Sequence, residues 1–259
     1  QMSGEIYMAA VGALAYEKRL QIISNNLANS NTVGYKQDQG QFKIFNLTDI
    51  PEGPIQNSDE LDTTQADMFW NQFNVYTDHS AGSLKNTGND LDLALVGKGF
   101  FCVQTPDGIH YTRKGDFTLN ADGVLVTRTG WPVMGESGEI SIDGQANPQR
   151  HKKFSVDEEG NISVDGNQID SLRLVDFQPP YNLTKVGEAL FKPAESGPAE
   201  IQAGDVRVSQ GFLELSNVDA VKMMTEMIEV LRGYESYQKI IRSVDEVNSR
   251  AINEIGKMT

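Results

Sequence analysis

The chain has 259 residues, enough for one large domain or two modest ones, and its 39% hydrophobic content and mean hydropathy of -0.40 mark a polar, soluble protein. A net charge of -14 and a pI of about 4.6 have the wrong sign for nucleic acid or an anionic membrane surface, so no nucleic-acid partner is expected. The single cysteine, Cys102, excludes an internal disulfide framework and a multi-cysteine zinc site.

Residues 1–36 open on a helical pattern, with Ile6, Ala9, Ala10, Ala13, Leu20, Ile23 and Leu27 recurring at helical spacing. The alanines on that face allow a second helix to approach closely. The apolar run IYMAAVGALAY (6–16) imitates the core of a secretion signal. Its basic residues, Lys18 and Arg19, follow it, and no A-x-A-like site comes after, so a cleavable signal peptide is not expected. No run reaches the roughly 18 apolar residues that a membrane span needs, and no membrane insertion is expected. The helix runs into SNNLANSNTVGYK (24–36), which crowds Asn25, Asn26, Asn29 and Asn31 together. Asparagine is a poor helix-interior residue because its amide competes for backbone groups. Asn25 and Asn26 read as amides that fix register between helices. Asn29 and Asn31 read as the helix exit, with Gly34 and then Tyr35 turning the chain into the segment beyond residue 36.

Residues 37–90 hold no sustained period and read as an extended connector with short local elements. Over 91–178 strand and turn alternate, with Asp107-Gly108 and Asp122-Gly123 as hairpin turns, which makes a β-rich domain. FTLNADGVLV (117–126) and FSVDEEGNISV (154–164) repeat one hairpin pattern. Pro179-Pro180 closes the last strand, and 179–215 read as a return connector. The final segment, 216–259, carries Val218, Val221, Met224, Ile228, Leu231, Tyr234, Ile241, Val244, Ala251 and Ile255, stepping mostly by three and four without a proline. That length suits a coiled-coil-like rod. Ser216, with Asp219 three positions later, approximates a helix capping box. The expected fold is α+β: paired terminal helices, within 1–36 and 216–259, and a central β-rich domain of hairpins.

Charge shows the same division. Residues 1–36 and 218–259 together carry nine basic and nine acidic residues, so 37–217 hold the whole excess of -14. Neutral ends suit packing among neighbours, and an acidic middle suits water. Catalytic chemistry finds little purchase. His79, His110 and His151 lack metal-ligand spacing and read as surface or turn residues. GKGFF (97–101) lacks the spacing of a phosphate loop, and GESG (135–138) is one residue short of a nucleophile elbow. Asp90 and Asp92 would share a strand face, but among 36 acidic residues such a pair arises by chance and reads as a solvated face. No catalytic residue, cofactor or metal is expected.

ISNNLANSNTVGYK (23–36), TGNDLDLALVGKGFF (87–101), YTRKGDFTLNADGVLVTRTGWPVMG (111–135) and GFLELSNVDAVKMMTEMIEVLRGYES (211–236) resemble, in that order, the bacterial flagellar basal-body rod proteins. The wording of the C-terminal motifs is most similar to the proximal-rod member, with distal-rod and hook-type proteins as alternatives. Val33 departs from the family pattern, where Pro or another small or polar residue is common. The resemblance implies a structural axial subunit and not an enzyme. Its terminal helices would pair as a coiled coil and polymerise into a hollow tube, with the β-rich domain as outer wall. It also implies other axial proteins and the flagellar type III export apparatus as partners, and a periplasmic rod location. The seam and exit residues named above, from Ile6 to Tyr35 and from Val221 to Ile255, become the candidate assembly interface. A cell-wall hydrolase built on Asp90 and Asp92, or a free coiled-coil adaptor, would be the alternatives from other classes.

Overall fold

The computed structural model describes residues 2–42, 73–142, 153–194, 197 and 199–255. They fall into two compact units, Gln1–Ala28 with Gln37–Asp78 and Val218–Thr259, and Asn29–Lys36 with His79–Asn217. The first is largely helical and the second β-rich, which makes the chain α+β.

In the helical unit, α1 (Met2–Ala28) packs against α2 (Ala220–Ile255). Ile23, Met223 and Val230 are buried at their contact, with Tyr16, Leu20, Leu27, Val218 and Met227 packed around them. α2 starts where the Asp219 carboxylate accepts the N–H groups of Val221 and Lys222, each at 3.0 Å. One side chain thus satisfies two of the helix's orphan donors and places negative charge at its positive end. The cap therefore lies at Asp219 and not at Ser216, as the capping-box spacing suggested. The chain is still a strand at Phe212–Glu214 and the helix starts at Ala220, so Ser216 lies in the short link between them. Asp38–Phe42 pairs antiparallel with Phe73–Thr77, which makes strand of both described edges of the segment read as a connector. Residues 43–72 of that segment lie outside the described residues.

The β-rich unit is built on a six-stranded antiparallel sheet. Its order is Leu183–Gly187, Leu190–Pro193, Gly108–Thr112, Phe100–Thr105, Leu174–Phe177, Glu200–Gln202. Phe100–Thr105 is buried on both faces: Phe101 and Val103 enter one apolar cluster, Phe100 and Cys102 the other. This explains the unbroken apolar spelling of its first four residues, Phe100 to Val103, because alternation vanishes when both faces of a strand are covered. The two hairpins with similar spelling share their hydrogen bonds. Asn120 Oδ1 accepts the N–H of Asp122 and Val124, and Asp157 Oδ1 accepts the N–H of Glu159 and Asn161, the same two offsets in each.

Residues 179–215 are not a connector. Their described residues supply five strands, three of them in the six-stranded sheet, and Arg207–Gln210 and Phe212–Glu214 pair with Leu93–Val96 and Leu84–Asn86. Edge strands such as Glu200–Gln202 face water along their whole length, so they show no apolar alternation to read.

Cys102 is fully buried, and burial pushes its thiol pKa up from 9.0 to about 12. The native thiol should therefore stay neutral and resist iodoacetamide at pH 8, while the urea-unfolded chain alkylates at least about a hundredfold faster. The folded pKa lies above the unfolded one, so the stability held by the neutral thiol is complete below pH 9. It is lost as pH climbs from there towards about 12. Native alkylation as fast as unfolded alkylation would contradict this burial.

Candidate functional site

Two features stand out as built for something: the faces of the paired helices, and a buried ion cluster in the β-rich unit.

The helices run antiparallel, and a reciprocal contact sets their register. A Cβ on Gly12 would overlap the ring of Tyr237, and a Cβ on Gly233 would overlap the ring of Tyr16. The two tyrosine rings lie 5.5 Å apart, centroid to centroid. Each helix thus spells glycine and, four residues on, tyrosine: GALAY (12–16) and GYESY (233–237). Residues four apart share a helix face. In an antiparallel pair, each glycine then receives the other helix's ring.

α2 carries two apolar stripes. The stripe towards α1 begins Met223, Met227, Val230 and continues through the half-buried Tyr234, Tyr237, Ile241 and Val244, a 4-3 repeat. The other is Val221, Met224, Ile228 and Leu231, which are 75%, 53%, 53% and 40% exposed. The spacing read from sequence follows this second stripe as far as Leu231 and then steps onto the first at Tyr234. Continuing the exposed stripe would give Glu235, Gln238 and Arg242, so it is apolar only over the helix's first turns. On α1, Ala13 and Ile23 are buried, and Ala10, Leu20 and Leu27 half-buried. The side chains of Ile6, Ala251 and Ile255 lie outside the described residues.

The asparagines divide by burial. Asn25 and Asn31 are exposed and Asn29 half-buried, while Asn26 is buried and clamps the backbone of Asp38. Asn26 donates from Nδ2 to the Asp38 carbonyl at 2.7 Å and accepts its N–H at 2.9 Å. That lock joins helix to strand. α1 ends at Ala28, and Thr32 returns to Asn29 through its backbone N–H and its hydroxyl.

In the β-rich unit, Lys36, Glu214 and Arg113 form a buried cluster of two cations and one anion. Lys36 Nζ lies 2.6 Å from Glu214 Oε1, and Arg113 lies 3.4 Å from Glu214 Oε2. Carbonyls accept from both cations as well: Lys36 donates to Ser80, and Arg113 to Leu95 and Gly97. The Gly82 N–H adds a second bond to Glu214 Oε1, at 2.8 Å. Burial pushes the Arg113 guanidinium below its ordinary pKa, and the Glu214 charge pulls the other way. Its members come from GYK (34–36), TRKGDF (112–117) and GFLELSN (211–217), three stretches far apart in the chain. Sequence reasoning missed this cluster, since an isolated Lys, Arg or Glu reads as a surface residue.

The structure offers no paired carboxylates at Asp90 and Asp92. Asp90 is exposed, whereas Asp92 is buried, accepts a hydrogen bond from Asn89 and bridges to Asp116. His110 is buried against Thr105 and is not a surface residue, while the half-buried His79 packs among the rings of Phe100, Tyr181 and Phe191. His151 lies outside the described residues. Among the described residues no group of side chains could hold a metal ion, and no helix is long and apolar enough to cross a membrane.

Three family profiles match the chain in order: the flagella basal body rod protein family over 6–36, the flagellar hook protein FlgE/F/G D1 domain over 94–164, and the flagellar basal body rod FlgEFG protein C-terminal family over 209–254. The chain is 34% identical to the flagellar basal-body rod protein FlgG of Bacillus subtilis, across 97% of this chain and 99% of that protein. It is 31% identical to FlgF of Caulobacter vibrioides, across 99% and 100%, and 33% identical to FlgG of Agrobacterium fabrum, across 93% and 95%.

Proposed function

The chain belongs to the flagellar basal-body rod family and is a structural subunit of the flagellar axis, not an enzyme, and we propose that it polymerises through the apolar stripe that α2 leaves exposed. Rod proteins of this family assemble with other axial proteins in the basal body. In our reading α1 and α2 pair as a coiled coil, supported by the 4-3 repeat and by the glycine–tyrosine register. Val221, Met224, Ile228 and Leu231 then receive neighbouring subunits. Four large apolar side chains in a row on a water-facing helix suit an interface better than solvent. A head-to-tail contact of this kind does not close on itself and propagates a filament.

We place the subunit in the proximal rod, on the strength of its C-terminal wording, as part of a periplasmic tube that transmits torque and conducts exported subunits. Export by the flagellar type III apparatus, without a cleaved leader, belongs to the same reading. On α1 we read Ala10, Ala13, Leu20, Ile23 and Leu27 as the seam towards α2, and Asn25, Asn29 and Asn31 near its end as the candidate contacts to neighbours.

The stripe carries the proposal, and it can be tested directly. Ile228→Asp combined with Met224→Asp should abolish rod assembly and swimming in soft agar, while the urea unfolding transition of the β-rich unit stays in place. Ile169→Asp, at an exposed apolar residue of the β-rich unit, is the matched control and should swim. Normal rods from the double variant would refute assembly through this stripe.

A further inference from the structure

We propose that Glu214 is a clasp that makes the docking of two chain segments interdependent: residues 29–36, immediately after α1, and residues 212–217, immediately before α2. Both segments belong to the β-rich unit, and they hydrogen-bond to each other. The Gly34 N–H donates to the Glu214 carbonyl at 2.8 Å, and the Asn217 N–H to the Tyr35 carbonyl at 3.4 Å. The carboxylate of Glu214 then holds three donors from three places: Lys36 in the incoming segment, Gly82, and Arg113.

The charge balance makes the arrangement conditional. Lys36 and Glu214 are each 1% exposed, and Arg113 is nearly as buried. Without the carboxylate, both cations would lose the anion they share in a dry site. A buried charge stripped of its partner is strongly destabilised, so the cation on the more movable segment leaves. Arg113 sits at the end of a strand in the sheet; Lys36 sits on a short segment whose release re-exposes it to water. The docking of the incoming segment therefore depends on residue 214.

This takes on meaning in a subunit that arrives unfolded and orders as it assembles, and to that extent it rests on the function proposed above. The consequence there is that the two crossings order together, and not before residue 214 has arrived.

Hydrogen exchange on the full-length monomer tests the clasp without reference to assembly, so its failure would leave the rod reading standing. Glu214→Gln should speed exchange at Gly34 and Gly82 at least about tenfold, with Phe100–Thr105 unchanged. Adding Lys36→Met removes one of the two stranded cations and should return Gly82 most of the way. Rates at Gly34 and Gly82 within twofold of wild type would overturn the proposal. So would an equal rise across Phe100–Thr105, which would mean general loosening. If Glu214→Gln does not fold, Lys36→Met alone is read at Leu215 and Asn217, where the clasp requires faster exchange and unchanged rates would refute it.

Discussion

Replacing Gly34 with alanine is expected to destabilise the β-rich unit by about 4 kcal/mol, while the same change at Gly88 should cost only about 1–2 kcal/mol. The two glycines adopt nearly the same left-handed backbone, with φ of 66° and 68°. An L residue there pays the same local strain at both. Their surroundings differ. A Cβ on Gly88 meets nothing within 4 Å, whereas on Gly34 it would stand 2.5–2.7 Å from the backbone of Arg113 and Lys114. Backbone next to a sheet strand does not yield, so the segment carrying residue 34 must lift. That movement breaks the bond from the Gly34 N–H to the Glu214 carbonyl, worth about 1 kcal/mol, and strains the Lys36–Glu214 pair two residues on. Urea unfolding of the two variants, followed by a probe in the β-rich unit, measures the difference. Equal losses at the two positions would show that residues 29–36 are not held against Arg113 and Lys114.

How much of this architecture is legible in the letters depends on whether the signal is local. The terminal helices, the hairpins near Asp107 and Asp122-Gly123, and the α+β class come from period and turn chemistry, which neighbouring residues carry. The first turn sits one residue earlier than its spelling suggests, on Pro106-Asp107, because Gly108 already pairs with Thr105. The ion cluster does not: Lys36, Arg113 and Glu214 each look like ordinary surface charges until the chain brings them together. The stripe on α2 is ambiguous for another reason. VKMMTEMIEVL (221–231) is apolar on two faces, so spacing alone cannot say which side meets α1. The strands within 179–215 are hidden because their exposed faces are polar and their prolines read as breaks. The glycine–tyrosine register is present in the letters as GALAY and GYESY. It becomes a signal only once the helices are known to be antiparallel.

That register supplies the second large expected effect. Gly12→Leu should abolish the pairing of α1 with α2 and with it swimming, although leucine is the better helix former by somewhat under 1 kcal/mol. Propensity and packing pull in opposite directions here, and the magnitudes decide between them. A leucine at residue 12 must displace the Tyr237 ring, and that ring already stands against Tyr16. Overpacking of this kind costs about 1–3 kcal/mol even where the surroundings can adjust. Among the described residues the large apolar side chains buried at the helix contact are Ile23, Met223 and Val230, a small reserve against such a loss. The mirror change, Gly233→Leu against Tyr16, should behave alike. Compensation separates register from general damage: Gly12→Leu with Tyr237→Ala reopens the space and should restore part of the swimming halo, whereas Gly12→Leu with Tyr234→Ala should not. Equal rescue by both tyrosine changes would mean that residue 12 does not meet residue 237 in the assembled rod.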